Sequence, residues 1–66
     1  MAWNGLMELK GKKTLVLGAG RSGINSATLL ARYGAVVALH DMKPVAEWSD
    51  EARTLKENHG VGLVDG

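Results

Sequence analysis

Cysteine is absent from these 66 residues, which excludes disulfide staples and thiolate zinc sites alike. Histidine is scarce, and His40 and His59 alone do not make a metal site; they read as ordinary strand-end or surface residues. Charge of one sign is missing too. Eight basic residues against seven acidic ones leave +1, which gives no electrostatic case for nucleic acid or an anionic membrane. Lys10, Lys12 and Lys13 cluster, but before a strand they read as a solvated approach segment. No apolar run is long enough for a membrane span, and residues 1–9, with Asn4, Gly5 and Glu8, do not read as an export signal. These absences lead us to expect a cytoplasmic protein. Length is also short. A domain near 60 residues buries only about 60% of the surface its unfolded chain exposes, so it is marginal without outside support.

Glycine is abundant: nine residues, most of them between apolar runs rather than strung together as a linker. Thr14-Leu15-Val16-Leu17 is a short apolar strand without alternation, bounded by Gly11 and Gly18, and so of a type made to be covered on both faces. From Gly23 the period changes to that of a helix. Ile24, Ala27, Leu30 and Ala31 share one side, Asn25, Thr28 and Arg32 fall largely on the other, and Gly34 sits where a left-handed cap belongs. Val36 to Asp41 is a second strand, which Pro44 prevents from continuing. Ser49 or Asp50 can cap a second helix with Trp48, Ala52, Leu55 and His59 on one face; it ends at Gly60, and residues 61–64 form a short third strand. Trp3 and Trp48 read as packing residues rather than platforms for a base. Strand, helix, strand, helix, strand predicts a parallel sheet of order 3-2-1 with right-handed crossovers.

Between the first strand and helix lies Gly18-Ala19-Gly20-Arg21-Ser22-Gly23, a G-x-G-x-x-G in the position where that pattern has mechanical content. Gly18 permits the tight turn, Gly20 lets a phosphate approach the backbone, and Gly23 lets the helix lie close to the sheet. The N–H groups of Arg21, Ser22 and Gly23 then face the ligand, and the helix dipole favours its negative charge. Arg21 reads equally as a phosphate contact or a solvated side chain, and Ser22 as a helix cap or a phosphate donor. Asp41 ends the second strand 18 residues beyond Gly23, near the spacing of about 20 for an acidic ribose contact. Three readings remain open on these residues: the nucleotide-binding segment of a ligase, the NAD- or FAD-binding half of an oxidoreductase, and a regulatory module without catalysis.

Leu15 to Gly23, then Gly34-Ala35-Val36-Val37, then Asp41-Met42-Lys43-Pro44 resemble the start of the Mur ligases, and among them the branch that adds D-glutamate to UDP-N-acetylmuramoyl-L-alanine. The resemblance implies an α/β, Rossmann-like three-layer fold of which residues 1–66 are the N-terminal part, with the catalytic ATP-binding and C-terminal domains elsewhere. It implies that Gly18, Gly20, Arg21, Ser22 and Gly23 hold the UDP diphosphate. Asp41 would accept from the uracil N–H, with Met42 and Lys43 lining the base pocket; Met42 brings only its backbone and a thioether. ATP and Mg2+ are implied for the whole enzyme and no cofactor, metal ligand or catalytic residue for this segment, which is not expected to be catalytic alone. A sheet of this kind with helices on only one side also predicts self-association through the bare face or the open edge.

Overall fold

The computed structural model describes residues 9–66, and Trp3 lies outside them. Among the described residues, five strands and helices follow one another: β1 (Lys13–Leu17), α1 (Arg21–Arg32), β2 (Val36–Asp41), α2 (Asp50–His59) and β3 (Gly62–Asp65), with a 3-10 turn at Val45–Glu47 before α2. Both strand pairs are parallel, Leu15 facing Ala38 and Leu39 facing Leu63. β2 is central, so the order 1-2-3 is the expected 3-2-1 read from the opposite edge. The α/β class and the parallel sheet stand as read from the sequence.

Alternation along each strand sends side chains to opposite faces. On one face Val37 and Leu39 meet Ile24 and Ala27 of α1 and Ala52 and Leu55 of α2 in one continuous core. Leu39 is fully buried there, an amount of burial worth about 1.5–3 kcal/mol. On the other face Leu15, Leu17 and Val36 are 60%, 73% and 56% exposed. Strands whose composition suits two covers therefore have one among the described residues.

Local chemistry explains where the helices stop and start. α1 ends in a Schellman arrangement: Gly34 has φ +89°, its N–H donates to Ala31 O at 3.0 Å, and the Ala35 N–H donates to Leu30 O at 3.1 Å. Ser49, not Asp50, caps α2, its hydroxyl accepting from the Ala52 N–H at 3.2 Å. Asp50 and Glu51 in the first turn complement the helix dipole.

Several local expectations need correction. α1 begins at Arg21, two residues before Gly23, because Gly18 at φ +95° completes the reversal early and Gly20 already serves as the N-cap. That leaves Ser22 inside the first turn, so it does not cap the helix. His59 is exposed although it shares a nominal face with Leu55. Val61 takes that place instead: its N–H donates to Leu55 O at 3.2 Å, and its side chain is buried at the helix end. β3 consequently starts at Gly62 rather than Val61.

Candidate functional site

Both helices begin at the carboxyl end of the sheet, and between their first turns lies a cleft of about 400 Å3. Its walls carry Gly20, Arg21, Asp41, Lys43, Trp48 and Glu51. Of the expected site residues, four thus converge here. Gly18 and Met42 border a second, shallower concavity with Leu17 and His40, and Asp41 stands between the two. Ser22 is exposed at the helix start and Gly23 is buried beneath it.

The three glycines of the turn differ in what requires them. Gly18 holds a positive φ that other residues seldom adopt. A Cβ on Gly23 would collide with the Gly18 carbonyl oxygen, approach its carbon to 2.9 Å and reach Leu39 Cδ1 at 3.4 Å. That is the close helix-to-sheet approach expected of the last glycine in the motif. Gly20 is different. Its φ of −80° suits any residue, and a Cβ there would meet nothing within 4 Å among the described residues. The space in front of Gly20 is therefore open to the cleft.

Helical bonding starts with the Ile24 N–H donating to Gly20 O at 2.9 Å. The N–H groups of Arg21, Ser22 and Gly23 precede that bond and have no intrahelical acceptor. They form the positive end of the α1 dipole at the cleft.

Asp41 has a structural task that the sequence alone did not disclose. Oδ2 accepts from the Ala19 N–H at 2.9 Å and Oδ1 from the Lys43 N–H at 3.0 Å. One carboxylate thus ties the glycine-rich turn to the end of β2. The Ala19 bond first, then the Lys43 bond, holds its pKa below the ordinary carboxylate value, against a smaller opposing effect of burial. Each oxygen keeps a second lone pair for another donor.

The segment after β2 is fixed by two side-chain hydrogen bonds, one spanning five residues and one reaching from β3. Trp48 is buried and its indole N–H donates to Lys43 O at 2.8 Å, so it packs as expected while also forming part of the cleft wall. The Val45 N–H donates to Asp65 Oδ2 at 2.8 Å, anchoring the 3-10 turn to β3. Arg21 is neither free nor turned to backbone: Nη1 donates to Glu51 Oε1 at 2.7 Å across the cleft. No local signal in the sequence joins Arg21 to Glu51, 30 residues on.

Lys43 is exposed at the cleft edge and Met42 is 82% exposed. Among the described residues, no group of three or more histidine, aspartate or glutamate side chains could hold a metal ion, and no helix is long and apolar enough to cross a membrane.

No family model matches the chain. Individual proteins do. A UDP-N-acetylmuramoylalanine–D-glutamate ligase of Listeria monocytogenes serotype 4b is 44% identical over 55 residues, 83% of this chain and 12% of that relative. The protein of the same name in Acidobacterium capsulatum is 45% identical over 60 residues, 91% of this chain and 13% of its own length. That of Macrococcus caseolyticus is 41% identical over 61 residues, again 13% of its length. The chain spans about an eighth of the curated relatives it matches.

Proposed function

This chain belongs by sequence to the UDP-N-acetylmuramoylalanine–D-glutamate ligases, and we propose that it is the UDP-holding segment of such an enzyme. The activity is ATP-dependent addition of D-glutamate to UDP-N-acetylmuramoyl-L-alanine, a step of peptidoglycan synthesis carried out in the cytoplasm. ATP, Mg2+ and the catalytic groups belong to the remainder of the enzyme. The part assigned to these residues is to bind and orient the substrate by its nucleotide.

Gly20 carries this reading. Packing explains Gly23 and backbone conformation explains Gly18, but nothing within the described residues requires glycine at position 20. A diphosphate against that bare backbone gives the missing Cβ a purpose. The N–H groups of Arg21, Ser22 and Gly23 supply donors, and the α1 dipole favours the charge. Asp41, held ionised, offers its remaining lone pairs to the single N–H of a uracil ring. Met42 and Lys43 flank that base on either side of Asp41.

The NAD- or FAD-binding alternative uses the same glycines, but the relatives described above bear the name of a ligase. Amide-resolved NMR titration of the 66-residue chain separates the two. UDP is expected to shift the amides of residues 20–23 and of Asp41, with NAD far weaker. NAD binding as tightly as UDP overturns the assignment.

A further inference from the structure

We propose that Glu51 is an internal competitor for the anion: it holds Arg21 across the cleft, and a bound diphosphate takes Arg21 from it. The inference rests on the diphosphate reading above and concerns how that site sets its affinity. Arg21 is the first residue of α1 and Glu51 the second of α2. A cation in the first turn of a helix opposes the dipole, whereas an anion there is favoured. Glu51 suits its own helix, but Arg21 does not, and the α1 start gains only when an anion stands before it. In this structure the anion beside Arg21 is the Glu51 carboxylate, 2.7 Å from Arg21 Nη1.

Such a pair is easily exchanged. The Arg21 and Glu51 side chains are 71% and 52% exposed, so water screens their attraction. A diphosphate brings more negative charge and can accept two guanidinium N–H groups side by side. It also accepts from the backbone N–H groups that Glu51 leaves unused. Once Arg21 turns to the ligand, Glu51 remains at the cleft wall with Glu47 and Asp41, opposed by Lys43. Glu51 therefore lowers affinity for every anion that takes Arg21 from it, by the free energy of the exposed Arg21–Glu51 pair.

The test measures binding of UDP, UMP and inorganic pyrophosphate by NMR titration to the wild-type chain, Glu51→Gln, Arg21→Met and the double variant. Glu51→Gln is expected to tighten UDP about two- to fivefold, the scale of an exposed ion pair, and UMP by no more than that. In the Arg21→Met background the same change is expected to gain nothing measurable. An undiminished gain without Arg21 overturns the competition, because it shows plain charge repulsion. Equal affinity of wild type and Glu51→Gln overturns it as well. Pyrophosphate binding with the Glu51→Gln gain, but with no preference of the chain for UDP, upholds the competition and overturns only the uridine reading. Binding of none of the three ligands overturns both.

Discussion

The two faces of this sheet carry equally apolar strands and have opposite surroundings. Val37 and Leu39 are sealed beneath α1 and α2, while Leu15, Leu17 and Val36, one position out of phase with them, lie open. The same residue type is thus structural at position 39 and unused by packing at position 17. The glycine-rich turn repeats the contrast on a smaller scale. Gly23 belongs to the covered side, where a Cβ has no room, and Gly20 belongs to the open rim, where it has nothing to touch. Packing fixes identity on one side, and what else touches the molecule fixes it on the other.

Gly23→Val attacks the covered side most severely. Its side chain must displace the Gly18 carbonyl, a backbone group that cannot swing aside. We expect a loss of about 3 kcal/mol or more. Domains hold only about 0.05–0.15 kcal/mol per residue in reserve, so the variant is expected to show no cooperative melt in circular dichroism. A melting curve like that of the wild type breaks the comparison at its strongest point.

A matched pair of leucines comes next. Leu39→Ala is expected to cost about 2–5 kcal/mol, and Leu17→Ala to remain within about 0.5 kcal/mol, both read from urea unfolding. Self-association through the bare face, an expectation from the sequence, is probed by Leu17→Lys, which is then expected to lower the apparent mass in light scattering. Equal destabilisation by the two alanine variants contradicts the asymmetry. A wild-type chain already monomeric at high concentration removes the association and leaves the asymmetry standing.

Acid sharpens the comparison at the rim. Asp41 has a folded-state pKa below its unfolded value because it accepts from Ala19 and Lys43. Its contribution is present above the unfolded carboxylate value of about 4 and is lost as pH falls through the lowered one. The Ala19 amide resonance should therefore titrate below the ordinary carboxylate range while the core amides stay put. A midpoint at the ordinary value contradicts the clamp.

Much of this architecture was legible because periodicity and punctuation are local. The helical spacing from Ile24 to Ala31, the left-handed Gly34, the Ser49 cap and the stop at Gly60 each depend on neighbours within a turn or two. The rest depends on residues meeting across the fold. Asp41 reads from the sequence as a ligand acceptor, and only its approach to Ala19 reveals the clamp. Trp48 reads as packing, and its bond to Lys43 O, though it spans only five residues, follows no helical or strand period that would announce it. Arg21 was balanced between phosphate and solvent until Glu51 appeared opposite. The 3-10 turn at Val45–Glu47 has no apolar period of its own and is held by Asp65 from β3.

The most direct test of the central claim is the UDP affinity of Gly20→Val. Beyond its chain neighbours, no described residue lies within 4 Å of the added Cβ, and the backbone angle suits valine. Only the weaker N-cap preference of valine counts against the fold, about 1 kcal/mol. The amide spectrum should therefore keep the dispersion of the folded chain while UDP no longer shifts residues 20–23. A folded Gly20→Val chain that binds UDP as tightly as the wild type would contradict the account, because the open space before Gly20 would then not be where the diphosphate lies.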